Sequence, residues 1–245
     1  MRWPTSNNEE IKRYYSEWWE NPKDIRKVVF DSLNQYVRQR IPPDGGRKAL
    51  DIGSGHGRIV SYLVEKGYQV TAVEFNEEFA AELRGRFPPI KVMNGDVRHI
   101  NSGERYDLIT CIELVQNLNA KELSELLSKL ATVTPLLLIN MSNRNSFHGR
   151  WVKLRGFKAS FVFGYAPREF ERILKQAGFS VVHRRGIGLL TPVSLFRDFR
   201  GKLIPAWVSR IVNRLDQLFP RICHLYYIEA ISKKYEEVQN ANTSS

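Results

Sequence analysis

The run KALDIGSGHGRIVSYL, residues 48–63, constrains the fold of this chain more than any other segment. A short apolar stretch ends at Ile52, glycines follow at positions 53, 55 and 57, and a helical pattern begins directly afterwards. Glycine adopts positive φ without steric cost and lets a ligand approach the backbone closely. In a parallel α/β sheet the first strand–helix turn is the usual anchor for a ligand. The run therefore predicts a strand, a ligand-binding turn and a helix.

Strand-like and helix-like segments alternate along the middle of the chain, which is typical of a parallel sheet with crossover helices. Helices are predicted to begin after Asn76, after Asn119 and at Pro167, and two more helical segments, 8–20 and 24–40, precede the first strand. We expect an α/β fold with a doubly wound, Rossmann-like, mostly parallel sheet and helices on both faces. Its seven predicted strands span 47–52, 68–75, 90–96, 106–112, 135–141, 179–184 and 223–232.

The spacing of the glycines and the charge beside them indicate which class of ligand the turn would bind. Arg58 occupies the position of the late glycine in a dinucleotide loop, and the Gly-Lys-Ser/Thr ending of a phosphate loop is absent. Asp51 would repel phosphates but suits a cationic amine. Glu74, at the end of the second strand, suits ribose hydroxyls, and Asp96, after the third, suits an adenine amine. An amine, a ribose and an adenine without phosphate describe S-adenosylmethionine.

Four segments together resemble the motifs of the class I S-adenosylmethionine-dependent methyltransferases. They are LDIGSGHGR, VTAVEFN, MNGDV and YDLITCIELVQNL, in order and at ordinary spacings, and YAPREFERILKQAGFSVV resembles the late part of that fold. The resemblance covers about 47–185 and is strongest to the branch that methylates quinones, lipids and other small molecules.

The resemblance implies cofactor-binding roles for the matched positions. Asp51 would hold the cofactor amine, Glu74 with Phe75 the ribose, and Asp96 with the Val97 backbone the adenine. The further residues implied are Gly53, Gly55 and Gly57 beside the methionine part and Ile112 flanking the cofactor. Two additions come from position alone: Arg26 would reach the cofactor carboxylate, and Tyr14 would belong to an aromatic N-terminal lid.

The fourth motif departs from many relatives, which read Glu-x-Leu-Glu-His-Leu where this chain has ELVQNL, residues 113–118. Asn117 stands at the histidine position, and asparagine cannot take a proton at neutral pH. An oxygen acceptor still has to lose its proton, which a base with a pKa near 7 assists. The candidates are His148 first, then Glu113 and Tyr165. No acid cluster follows the fourth or fifth strand, so no metal site is predicted.

The net charge of +11 is confined to two late segments, 142–175 and 184–221, which hold eight basic and two acidic residues each. Residues 205–220 form an amphipathic pattern with apolar residues on one face and arginines on the other. This pattern favours peripheral membrane contact through 188–220. The acceptor is predicted to be an amphipathic or anionic small molecule, such as a lipid, a quinone or a lipid-linked metabolite.

Two other functions stay open at this point. The basic inserts suit a nucleic-acid methyltransferase, but CIEL replaces the Asn/Asp-Pro-Pro-aromatic motif that enzymes acting on base amines usually carry. A non-catalytic S-adenosylmethionine-binding partner subunit is the other alternative.

We predict one methyltransferase domain over 1–235 and a flexible tail over 236–245. The domain divides into a helical cap (1–46), a cofactor-binding half (47–141) and an acceptor-side half (142–235) with basic inserts at 142–166 and 186–221. No apolar run is long enough to span a membrane, and both cysteines lie in apolar runs. A cytoplasmic protein is therefore expected, with an oligomeric state that these patterns do not indicate.

Overall fold

The computed structural model describes residues 25–43, 47–99, 104–146, 149–150, 164–189, 211 and 214–235, and the side chains of its first helix from Phe30 onwards. Tyr14, His148, the Arg26 side chain, most of both basic inserts and the tail lie outside the described residues. The division into one domain and a tail stays a prediction.

Seven strands form one sheet in the order β3-β2-β1-β4-β5-β7-β6. β1 to β5 run parallel to one another, and β7 runs antiparallel to both β5 and β6. The predicted mostly parallel, Rossmann-like sheet is confirmed. The strand bounds are β1 Lys48–Ile52, β2 Gln69–Glu74, β3 Lys91–Asn94, β4 Leu108–Cys111, β5 Leu136–Ser142, β6 Phe179–Ile187 and β7 Leu225–Ser232.

The helices begin where capping chemistry predicts. The Asn76 side chain accepts hydrogen bonds from the backbone N–H groups of Glu78 and Phe79, and Asn119 forms a capping box with Glu122. The bounds are α1 Ile25–Arg40, α2 Arg58–Glu65, α3 Glu77–Arg86, α4 Ala120–Val133 and α5 Pro167–Ala177, with short 3-10 turns at Val97–His99, Val115–Asn117 and Pro220–Ile222.

The sheet separates two apolar clusters, which is the doubly wound arrangement. Alternate residues of β5 show the division: Leu137 and Ile139 belong to the cluster with α4 and α5, whereas Leu138 belongs to the cluster with α1 and α2. Because side chains alternate across a strand, the two clusters lie on opposite faces. Helices therefore cover both faces, as predicted.

The sixth strand is longer than the sequence pattern predicts. It continues past residue 184 to Ile187 because antiparallel β7 offers partners as far as Leu225. Beyond it, the carboxylate of Asp216 is buried and accepts hydrogen bonds from the backbone N–H groups of Gly188 and Leu189 at 3.0 and 2.9 Å. In the part of the chain that the structure describes, no helix is long and apolar enough to cross a membrane.

Candidate functional site

The glycine turn lies at the carboxyl end of β1, which is flanked in the sheet by β2 on one side and β4 on the other, so the strand order reverses at this point. All three glycines have positive φ, at 76°, 49° and 78° for Gly53, Gly55 and Gly57. A Cβ atom added to Gly55 would meet nothing within 4 Å, whereas one added to Gly57 would lie 2.5 Å from Leu83 and 2.8 Å from Phe87. Gly55 thus faces open space, and Gly57 lets α2 pack closely against α3.

Asp51 holds a buried carboxyl group with one unsatisfied oxygen. Its side chain is 2 % exposed, and Oδ1 accepts a hydrogen bond of 2.6 Å from the Thr110 hydroxyl. Oδ2 is buried without a hydrogen-bond partner among the described residues. Burial raises the pKa of Asp51 to about 6, although the bond from Thr110 lowers it. A cationic donor at Oδ2 would satisfy this oxygen.

Glu74 ties the end of β2 to the glycine turn. Its Oε2 accepts from the N–H of Gly55 at 2.7 Å, and its Oε1 accepts from the N–H of Asn76 at 2.9 Å. Burial raises the pKa of Glu74, and both backbone bonds oppose this shift. Each carboxylate oxygen retains a lone pair for a hydroxyl donor. The aromatic ring of the next residue, Phe75, is 54 % exposed beside it.

Asp96 is engaged by Arg98. The guanidinium contacts both carboxylate oxygens, the shortest contact being 2.5 Å, and this holds the pKa of Asp96 below its usual range. The same guanidinium pairs with Glu122 of α4 at 3.0 Å. An adenine amine would therefore share Asp96 with Arg98. Val97, whose backbone is predicted to contact the adenine, and Ile112, which is predicted to flank the cofactor, are both buried.

Glu113, directly beyond β4, is held by two amide side chains. Its N–H donates to Oδ1 of Asn140 at 2.7 Å, and Nδ2 of Asn140 donates to its carboxylate. Nε2 of Gln116 donates to its carbonyl oxygen at 2.6 Å. Burial raises the pKa of Glu113 to about 7, while Asn140, Gln116 and the charge of Arg58 lower it.

Sequence reasoning missed Asn140 and Gln116. Asn140 interrupts the apolar run LLLINM near the end of a strand, and it is completely buried. A polar residue in that position signals a required hydrogen bond, because a buried amide without partners is costly. Gln116 gave no comparable signal, since its partner depends on how the turn after β4 folds.

Tyr165 makes a structural contact. Its side chain is buried, and its hydroxyl donates to the backbone oxygen of Leu118 at 2.5 Å. Burial, with the nearby charges of Glu169 and Glu122, raises its pKa to about 12. Nothing in this geometry favours Tyr165 as a base, so its catalytic role stays an unsupported prediction. Among the described residues, no group of three or more histidine, cysteine, aspartate or glutamate side chains is placed to hold a metal ion.

The fold and the site define a doubly wound α/β domain whose cofactor site combines a glycine turn with three successive acidic strand ends. Residues 49–135 match the family model described as "Methyltransferase domain". The matched segment carries a methyltransferase domain, which confirms the prediction of an S-adenosylmethionine-dependent methyltransferase and of its cofactor.

Curated relatives match parts of the chain. The ribosomal RNA small subunit methyltransferase A of Geobacter sulfurreducens is 36% identical over 76 residues, which is 30% of this chain and 28% of that protein. The ubiquinone biosynthesis O-methyltransferase of Rickettsia bellii is 18% identical over 184 residues, or 68% of this chain and 74% of that protein. The chain thus spans about a quarter of the first relative and about three quarters of the second.

Solved structures share the fold over most of the chain. A magnesium protoporphyrin IX methyltransferase from Synechocystis with bound S-adenosylhomocysteine is 17% identical with a TM-score of 0.66, and 93% of this chain covers 96% of that one. A TehB-like methyltransferase from Corynebacterium glutamicum is 16% identical with a TM-score of 0.59, and 93% of this chain covers 100% of that one.

The residues present fit S-adenosylmethionine. The unsatisfied Oδ2 of Asp51 suits its amine, and the open space at Gly55 allows close approach of a ligand to the backbone. The individual roles of the implied residues stay predictions that this fit supports.

Proposed function

We propose that the protein transfers a methyl group from S-adenosylmethionine to an oxygen of an amphipathic or acidic small molecule, such as a lipid, a quinone or a lipid-linked metabolite. The observation that carries this proposal is Glu113, a half-buried residue one position beyond Ile112, whose carboxylate accepts a hydrogen bond from the completely buried Asn140. The Rickettsia ubiquinone biosynthesis O-methyltransferase, matched over 68% of this chain, supports an oxygen acceptor on a small molecule of the quinone class.

The chain's own residues would position the reactants. Asp51 would hold the amine, Glu74 the ribose, and Asp96, shared with Arg98, the adenine. When bound, S-adenosylmethionine supplies an activated methyl group, so correct positioning provides much of the rate acceleration.

A methyl-transfer assay tests the proposal. Purified protein and tritiated S-adenosylmethionine are incubated in parallel with a bacterial lipid extract, a small-metabolite pool and a ribosomal RNA pool. We expect label in the lipid or metabolite fraction. Label confined to RNA would instead support the nucleic-acid alternative, which the local identity to the Geobacter enzyme favours. Failure to bind S-adenosylhomocysteine by calorimetry, with no label in any pool, contradicts methyl transfer altogether.

We propose further that the segment 188–220 contacts an anionic membrane surface. Leu218 and Phe219 are 70 % and 51 % exposed, and Ile211 and the adjoining Ile222 are also exposed. Apolar side chains at this exposure, within a segment of net positive charge that includes exposed Arg214, suit an anionic lipid interface.

Vesicle sedimentation tests this contact. The protein should pellet with phosphatidylglycerol vesicles at low salt, less at high salt, and little with phosphatidylcholine vesicles. The double variant Leu218→Glu/Phe219→Glu should lose binding, and Val182→Glu, at an exposed apolar site on β6, should keep it. A wild-type protein that stays in the supernatant with anionic vesicles refutes the membrane contact.

A further inference from the structure

Glu113 has a backbone conformation that needs external support. Its φ of 63° is the one positive value outside glycine among the described residues. Such a conformation costs about 1–3 kcal/mol, so it persists only where contacts with surrounding residues hold it in place. Here Asn140 of β5, which is completely buried, makes two hydrogen bonds to Glu113: it accepts one from the Glu113 N–H and donates one to the Glu113 carboxylate. The Gln116 amide holds the Glu113 carbonyl oxygen.

The turn that carries Glu113 lies beside the glycine turn. Thr110, three residues earlier on β4, pairs with Asp51 of β1. A Cβ atom on Gly53 would lie 3.2 Å from the side chain of Leu114, the residue after Glu113. The turn after β4 therefore packs directly on the glycine turn, and Arg58 at the start of α2 is close enough to influence Glu113 electrostatically.

The surroundings also suit a group that exchanges a proton near neutral pH. Burial disfavours the charged carboxylate, whereas Asn140, Gln116 and Arg58 favour it, and the pKa that results is about 7. Glu113 remains partly accessible despite this burial. A general base is most effective when its pKa lies near the working pH.

We propose that Glu113 removes the proton from the reacting hydroxyl group of the acceptor, with Asn140 and Gln116 as its positioning residues. This inference rests on the proposed function and narrows it. The acceptor O–H bond breaks and its proton passes to the Glu113 carboxylate, while the new O–CH₃ bond forms. The methyl–sulfur bond breaks at the same time, and its electron pair stays on sulfur.

The proposal selects one chemical class of acceptor. A carboxylate acceptor is already ionised at neutral pH, needs no base and would be repelled by an ionised Glu113. A phenol or enol hydroxyl is neutral and must lose a proton to react. Gln116 adds a buried Oε1 without a hydrogen-bond partner in the described structure, an acceptor suited to a ligand that carries donors. The expected product is therefore a methyl ether.

Product chemistry tests the acceptor class. Labelled lipid or metabolite from the tritium assay is treated with mild alkali, which releases methanol from methyl esters and leaves aryl and enol ethers of the proposed kind bound. Retained label supports the proposal. Volatile label overturns the hydroxyl assignment but leaves methyl transfer itself standing.

Variants test the base. Glu113→Gln should lower the rate at pH 8 by about 100-fold and remove the rise of rate through pH 7, whereas Glu125→Gln, an exposed residue of α4, should change neither. Asn140→Ala should move the rise to higher pH, because it removes a bond that lowers the pKa of Glu113. A merely structural Asn140 would lower the rate at every pH alike.

Two further readouts do not depend on turnover. Carboxyl ¹³C NMR of glutamate-labelled protein, assigned by the signal missing in Glu113→Gln, should show Glu113 titrating near pH 7. S-Adenosylhomocysteine should bind Glu113→Gln with unchanged affinity. Titration of Glu113 near its ordinary value of about 4.3 overturns the assignment whatever the acceptor is.

Discussion

At the scale of single residues, the buried carboxyl group of Asp51 lowers the stability of the folded protein, a cost that its proposed contact with the cofactor amine would explain. Its carboxyl group is buried, and its pKa of about 6 lies above the value in an unfolded chain, about 3.9. Between these two pH values Asp51 is still protonated in the folded protein but already ionised in the unfolded chain. The free energy of unfolding therefore falls as the pH rises through this range. Above pH 6 the cost reaches about 3 kcal/mol, because each tenfold change in the acid dissociation constant corresponds to about 1.36 kcal/mol.

We predict opposite effects of Asp51→Asn on stability and on cofactor affinity. Without ligand, the variant should raise the free energy of unfolding by about 1–3 kcal/mol at pH 8 and by almost nothing at pH 4, measured by urea denaturation. S-Adenosylhomocysteine, which retains the amine, should bind at least about ten-fold more weakly by calorimetry, because the charged partner of the amine is lost.

Asp107→Asn is a matched control at the other end of the sheet, where Asp107 accepts only a backbone bond from Lys48 at 2.9 Å among the contacts described for it. It should leave ligand affinity unchanged. Equal affinities for wild type and Asp51→Asn would contradict the role of Asp51 in holding the amine.

At the scale of elements, the glycine turn combines two separate requirements. Gly55 leaves open space, which suits the close approach of a ligand, and Gly57 leaves space for helix packing, although both have positive φ. The sequence pattern treats the three glycines alike and assigns all of them to the ligand. Only the packing of Leu83 and Phe87 against α2 distinguishes them.

We predict that alanine substitutions separate these requirements. Gly57→Ala should lower the free energy of unfolding by about 2–4 kcal/mol, because its Cβ overlaps the fully buried Leu83 side chain in addition to the cost of positive φ. Gly55→Ala should cost only about 1–2 kcal/mol, from the backbone alone. It should nevertheless bind S-adenosylhomocysteine more weakly by calorimetry. Equal losses of stability in urea denaturation would contradict this division.

The residues at which strands begin and end were predicted less accurately than the residues at which helices begin. Caps such as Asn76 and Asn119 are local signals, because a side chain bonds backbone groups two or three residues away. The end of β6 depends instead on β7, which is almost forty residues distant in the chain. Local composition carries no information on such a pairing.

At the scale of the whole molecule, side chains of α1 hold this helix against the last two strands of the sheet. Arg40 at the end of α1 makes a bidentate contact with Glu229 of β7, at 2.5 and 2.7 Å. The hydroxyl of Tyr36 contacts Nε2 of His183 at 2.6 Å, so His183 is a satisfied residue of the sheet. These contacts fix α1 against the antiparallel end of the sheet.

We predict that Arg40→Ala destabilises the protein more than Arg38→Ala. The Glu229 side chain is only 9% exposed, so removing Arg40 leaves a nearly buried charge, with an expected cost of about 1–2 kcal/mol after allowing for the exposure of Arg40. Arg38 pairs with Glu65 at 2.5 Å, but both side chains are half exposed and screened by solvent, so its loss should cost much less than the loss of Arg40. Urea denaturation at pH 7 measures both, and similar values would contradict a specific docking of α1 by Arg40.

The sequence alone predicted the fold class, the methyltransferase activity and the cofactor, because strand–turn–helix order, capping and the acids at 51, 74 and 96 are features of short segments. The tertiary structure decided which chemical groups meet. Glu113 ranked behind His148 in the sequence, yet Asn140 from the neighbouring strand bonds it twice, and that partner lies 27 residues away. A buried carboxyl group acquires its pKa and its orientation from such distant neighbours, so local patterns predicted where the cofactor binds, and only packing identified the group that we propose faces the acceptor.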